Sequence, residues 1–143
     1  MFKRLSGAPN IFWFPKKAST AFTNGGLVYA DGSGAVQPGD ATSGDHFGVI
    51  IRAVTSSDDD YATAGAKVPV DMCRPTDLWE VDVPNGDLAT GDVGNTCDLE
   101  ADGAGIDPDA TSKNVVTIVG YISASKAIVA VNASAGVKDV ATS

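Results

Sequence analysis

Short apolar runs alternate with clusters of turn-forming residues along the whole chain. Leu27-Val28-Tyr29-Ala30 reads as a strand that follows the tight-turn signal Asn24-Gly25-Gly26. Asp31-Gly32-Ser33-Gly34 reads as the next turn, with glycines supplying positive φ, and Ala35-Val36-Gln37 pairs back before Pro38-Gly39-Asp40 closes the hairpin. Residues 47–54 read as a strong strand and residues 55–65 as a polar connection. Lys67 to Met72 alternates, and Pro69 places it at an edge or a bulge. In Leu78 to Val83 the set Trp79, Val81 and Val83 shares one face, which is the core face, opposite Leu78, Glu80 and Asp82. No stretch keeps apolar residues at helical spacing. The expectation is an all-β fold.

The pattern occurs twice. Ala30-Asp31-Gly32-Ser33-Gly34 returns as Ala101-Asp102-Gly103-Ala104-Gly105, and Asp40-Ala41-Thr42-Ser43 returns as Asp109-Ala110-Thr111-Ser112. Gly48-Val49-Ile50 matches Gly120-Tyr121-Ile122, and Val68-Pro69-Val70 matches Val129-Ala130-Val131. Four blocks in the same order predict two related hairpin-rich repeats, residues 18–83 and 84–132, that pack together into a small barrel or sandwich. Residues 1–17 form an extended N-terminal arm, and residues 133–143 read as a loose tail.

Charge sharpens the view of the arm. The chain of 143 residues carries −8, yet Lys3, Arg4, Lys16 and Lys17 fall in a segment with no acid, so all 18 acidic residues lie in the body. An acidic body repels nucleic acid and anionic membrane. Ile11-Phe12-Trp13-Phe14 is the densest aromatic cluster, bracketed by Pro9 and Pro15, which favours an extended, edge-like segment. Its side chains project to both faces. Either both are buried against the body, or one face takes a second partner. The N-terminus lacks a signal-type apolar run, and no stretch approaches the roughly 20 apolar residues of a membrane span. A soluble protein made in a cytoplasm is expected.

Candidate chemistry is sparse. His46 is the only histidine, and its neighbour Asp45 points to the opposite face of a strand, so no orienting acid is evident. Asp58-Asp59-Asp60 and the set Asp102, Asp107 and Asp109 offer carboxylates but lack the order of a calcium loop, so they read as solvated turn residues. No phosphate-binding glycine motif is present. Cys73 and Cys97 allow one disulfide at most; buried free thiols are the preferred reading. No catalytic residue, cofactor or metal is assigned.

The stretch LVYADGSGAVQPGDATSGDHFGVIIRAV followed by AKVPVDM is similar to capsid decoration (cement) proteins of tailed bacteriophages. The shared pattern is a short strand at Leu27 to Ala30, a glycine-rich turn at Asp31 to Gly34, a connection at Ala41 to Gly44 and a strand at Gly48 to Val54. It extends over roughly residues 20–132. The resemblance implies a structural, non-enzymatic protein on the outer surface of a virion. There it would bind the major capsid protein, often as a trimer, and staple neighbouring subunits. It also implies an arm that adds a strand to a capsid sheet. Phe12, Trp13 and Phe14, with Ile11, would then anchor it, and Lys3, Arg4, Lys16 and Lys17 would steer it to an acidic surface. A phage fibre, spike or minor capsid module is the alternative. A sugar-binding domain is disfavoured because Trp79 lies on an apolar face.

Overall fold

The computed structural model describes residues 1–43 and 45–132, so the expected tail lies outside the described residues. The protein is all-β. Its strands are β1 (Lys3–Ser6), β2 (Ile11–Pro15), β3 (Leu27–Ala30), β4 (Val36–Pro38), β5 (His46–Ile50), β6 (Lys67–Met72), β7 (Leu78–Asp82), β8 (Thr96–Leu99), β9 (Ile106–Asp107), β10 (Val116–Ser123) and β11 (Lys126–Val131). One 3-10 turn, Thr90–Asp92, precedes β8. Among the described residues no helix is long and apolar enough to cross a membrane.

These strands form two antiparallel sheets, in the orders β2-β6-β5-β3-β4 and β1-β7-β11-β10-β8-β9. Set side by side, the two orders are the same five-strand unit, with β1 added to the outside of the second. β2 stands where β7 stands, β6 where β11 stands, and so on to β4 and β9. Each unit also curls so that its first strand reaches its third: Lys16 bridges Val36 in parallel, and Asp82 bridges Gly105. The chain therefore repeats as residues 11–72 and 78–131, displaced by one strand from the boundaries expected at 18 and 84. Alternation in β2 and β7 reveals that each is a strand, but not which sheet it joins.

The correspondence is uneven along the strands. Gly48 lies opposite Val28 of β3, whereas β8 pairs with β10 only at Val116 and Thr117, so Gly120 lies beyond it on a different rung. The Val68 and Val129 blocks do lie on corresponding strands, β6 and β11. Pro69 sits on the interior strand β6, not at an edge. It is opposite Trp13 on one side, and on the other its carbonyl accepts from Ile51 N–H just past the end of β5. A missing N–H costs least at such a place, where the neighbouring strand is leaving the ladder.

Each unit fills its own interior. Val28, Phe47, Ile50, Val68 and Val70 of the first pack with Phe22 and Val54 from its loops. Trp79, Val81 and Val83 do face the core of the second, at 1%, 0% and 1% exposure. Leu27 and Val49, on the opposite face of the first sheet, join this second core together with Phe2. The turns of the two units also touch: Leu27 N–H donates to the Gly103 carbonyl at 2.9 Å. Gly103 has φ +71°, and a Cβ there would collide with the Gly39 carbonyl oxygen, so glycine is required at this contact.

The expected arm is not detached. β1 pairs with β7 and β2 with β6, so the first 17 residues contribute one outer strand to each sheet. Arg4 is the reason they are held. Its Nε and Nη2 donate to the Asp71 carboxylate at 3.0 and 2.7 Å, and Nη1 lies 2.9 Å from Asp77. The guanidinium stacks 4.4 Å from the centroid of the Trp79 ring. Asp71 belongs to β6 and Trp79 to β7, so one side chain joins the two sheets. The hydrogen bond to Asp71 raises the Arg4 pKa further above its ordinary value, against the opposing effect of burial. Burial pushes Asp77 upward, but the Arg74 N–H and Arg4 outweigh it and hold its carboxyl below the usual range. Replacing Arg4 with Leu leaves the buried Asp71 without a cation and Asp77 with only its longer contact to Arg74, at 3.4 Å. The expected cost is about 3 kcal/mol in urea unfolding, whereas exposed Lys3→Ala should shift stability by less than about 0.5 kcal/mol. Equal unfolding midpoints for the two variants would contradict this role for Arg4.

Candidate interaction surface

β2 is the outer strand of its sheet, and its exposed residues are unusual for a surface. Ile11, Phe12 and Trp13 are 47%, 53% and 60% exposed. Phe14 turns inward and meets Phe47 edge-on at 5.2 Å between ring centroids. Successive residues alternate faces, so Phe12 and Trp13 present aromatic surface on both sides of one edge. Proline closes the strand at Pro15, consistent with its edge-like reading.

The hydrogen-bond ladder fixes which backbone groups are exposed. Met72 N–H donates to the Asn10 carbonyl at 2.9 Å, and Lys16 N–H donates to Ala66 at 2.9 Å. Antiparallel alternation then turns the polar groups of Phe12 and Phe14 toward β6, and those of Ile11 and Trp13 outward. Beyond Trp13 the outer side is taken up by β4: Lys16 bridges Val36 in parallel, and Lys17 N–H donates to the Val36 carbonyl at 3.2 Å. The edge therefore presents two complete donor–acceptor pairs beside two exposed aromatic side chains.

The basic residues divide. Lys3 and Lys17 are exposed, as steering residues would be. Arg4 is consumed by the inter-sheet clamp. Lys16 is fully buried, and its Nζ donates to the carbonyls of Tyr61 and Thr63 at 2.9 and 3.3 Å. Period-two spacing carried the signal for this, since Lys16 falls on the same face as Phe12 and Phe14. The steering role expected of Arg4 and Lys16, and the anchoring role expected of Phe14, are thus replaced by structural ones. In their place Lys67, exposed and opposite Pro15, adds positive charge beside Lys17.

A second exposed apolar group lies on the other unit. Val93, Val119, Tyr121 and Ile122 are each 42–43% exposed, around the part of β10 that extends beyond β8.

The candidate chemistry resolves into structural contacts. His46 is fully buried on β5, and its Nε2 lies 2.7 Å from the Ser43 hydroxyl, three residues earlier. Sequence reasoning tested Asp45 as the partner and missed Ser43. Among the described residues Nδ1 has no hydrogen-bond partner, so none of their acids orients the ring. Ser43 Oγ also accepts from Asp40 N–H at 2.8 Å, which makes the pair a brace for the turn. In the second unit the matching Ser112 bonds the buried Asp98 instead, alongside the N–H groups of Lys113 and Asn114. Burial raises Asp98, but these backbone donors prevail and hold its carboxyl low.

Asp58 accepts from Thr55 N–H and Asp60 pairs with Arg52, so the first acidic loop does not converge on one point. Asp107 and Asp109 come together with Asp87, while Asp102 is drawn away to the Ala104 N–H. The hydrogen bond and like charge of Asp87 raise Asp109 above the usual carboxylate range. Exposed acidic groups commonly gather in this way without holding an ion. Cys73 and Cys97 are buried free thiols, and burial pushes Cys97 up to about 12.

In sequence comparison no protein-family model and no curated protein matches the chain.

Burial lowers the pKa of His46 to about 4, against a raising effect from Asp40. The folded state thus binds this proton more weakly than the unfolded chain. The stability contributed by neutral His46 is complete above the ordinary value near 6.5 and is lost as pH falls to about 4. The expected loss is about 3 kcal/mol across that window. Urea titrations between pH 7 and 4 should show this slope in the wild type and a flatter one in His46→Gln. Equal slopes would assign the pH dependence elsewhere.

Proposed function

We propose that this chain is a structural virion protein that decorates the outer surface of a phage capsid and staples neighbouring major capsid protein subunits. The observation that carries the reading is the β2 edge, where Ile11, Phe12 and Trp13 expose apolar surface beside unsatisfied backbone groups and the positive Lys17 and Lys67. Buried aromatics dominate protein interfaces, and charge steers their encounter. The sequence resemblance to decoration proteins supports the same reading. Self-association, with a trimer favoured, belongs to it as well, because weak sites repeated over a shell gain strength through multivalency.

Cosedimentation with bare capsids tests the proposal. Removing residues 1–17 is unsuitable, because it also removes Phe2, Arg4, Lys16 and one strand from each sheet. The double substitution Phe12→Ser and Trp13→Ser alters exposed side chains only. Intact protein should sediment saturably with capsids, and the double variant should bind at least about tenfold more weakly. No binding by intact protein would sink the reading. The exposed group at Val119, Tyr121 and Ile122 favours a second reading, a fibre, spike or minor capsid module that binds a host or tail partner from the other unit. Loss of capsid binding in Tyr121→Ser, with the β2 variant unaffected, would move the interface there.

A further inference from the structure

The internal repeat shows what the β2 edge lacks. Val68 of β6 lies opposite Phe14, and the corresponding Val129 of β11 lies opposite Trp79. On that register Trp13, Phe14 and Pro15 correspond to Leu78, Trp79 and Glu80. In the second unit these three positions are covered by β1, with Ser6, Arg4 and Lys3 as their partners. In the first unit no antiparallel strand covers them among the described residues; β4 meets the outer side of β2 only at its end, through the parallel bridge of Lys16 to Val36. The same chain therefore contains the edge twice, once occupied by an antiparallel strand and once open. We propose that the outer edge of β2 is a strand-accepting site, and that its occupant is an extended, acidic and apolar segment of a partner protein running antiparallel to β2.

Backbone geometry and charge both specify the occupant. The outward groups of Ile11 and Trp13 exchange N–H···O bonds with two alternate residues of the incoming strand. Phe12 and Trp13 on opposite faces provide apolar contact for its side chains on either side. The sign of the charge then separates one occupant from another. In the second unit the acceptor edge is acidic and its strand basic: Lys3 lies opposite Glu80, and Arg4 pairs with Asp77. At the β2 edge the sign is reversed. Lys17 and Lys67 are exposed, and neither forms an ion pair among the described residues. The acidic side chain on this edge, Asp71 opposite Ile11, is already neutralised by Arg4. A β1 strand from a second copy carries Lys3 and Arg4, the wrong sign for this place. An acidic segment fits it.

This inference deepens the capsid reading by naming the kind of segment the edge receives, and peptides test it without capsids. Two blocked hexapeptides serve as probes, one alternating valine with glutamate and the other valine with lysine. Amide hydrogen exchange of the intact protein is followed residue by residue. The acidic peptide should saturably slow exchange at Ile11 and Trp13 and leave Phe12 and Phe14 unchanged, since those already bond to β6. It should bind at least about tenfold tighter than the basic peptide, and the surface double variant Lys17→Glu, Lys67→Glu should invert the preference. Equal binding of the two peptides, or no protection at millimolar concentration, would overturn the assignment. Protection that appears with rising protein concentration and no peptide would also overturn it, making a second copy the occupant. Selective peptide binding with no cosedimentation would uphold the strand site and reject the capsid as its partner.

Discussion

The Arg4 guanidinium ties the two halves of this fold together where their outer strands meet, as the shared core and the Leu27–Gly103 hydrogen bond do elsewhere. Arg4 extends from the outermost strand of one sheet, lies over the Trp79 ring and reaches Asp71 in the other sheet. Buried charges are tolerated only when paired and hydrogen-bonded. Here each requirement meets another: Asp71 and Asp77 need a cation, Arg4 needs acceptors, and Trp79 needs a cover. Asp71 also accepts from Asn10 N–H at 2.8 Å, so the same cluster fixes the loop that leads from β1 into β2. The position of the exposed aromatic edge follows from that loop. The arm is therefore both the clamp between the sheets and the outer face of one of them.

Much of this was legible in the sequence, for identifiable reasons. The hairpins at Leu27 to Gln37 and the alternation of Trp79, Val81 and Val83 depend on local turn chemistry and period-two spacing, which a sequence displays directly. The duplication was visible in its glycine-rich turns, because turn residues are constrained by φ and so retain their pattern. Where the repeat begins was not visible. β2 and β7 share no residues that announce their kinship, Phe14 and Trp79 aside, and strand partnership is a long-range property. Lys16 misled for a different reason: charge predicts a solvated side chain, and only the carbonyls of Tyr61 and Thr63 explain why an ammonium can be buried there.

Among the surface residues, Phe12 and Trp13 were visible as part of a local aromatic cluster between prolines, while their placement on an outer edge came from topology. A phenylalanine or tryptophan on a paired strand is a packing residue. On an outer strand whose alternate backbone groups are unspent, it becomes part of a binding edge. Short length, Pro9 and Pro15 limit how far another chain could extend along it. The two units thus treat one geometrical problem in two ways: the second satisfies its edge within the chain, and the first leaves it open between two prolines.

The ladder between β2 and β6 also has a mechanical meaning. Its rungs run from Ile11 opposite Asp71 to Pro15 opposite Lys67. A pull along the axis of β2 would load these rungs together, in shear, whereas a pull outward from the sheet would open them one at a time. Load entering β6 reaches Asp71, and through Arg4 it passes into β7 and the second unit. An object attached along the β2 edge would thus be tethered in the direction in which a β-ladder resists force best.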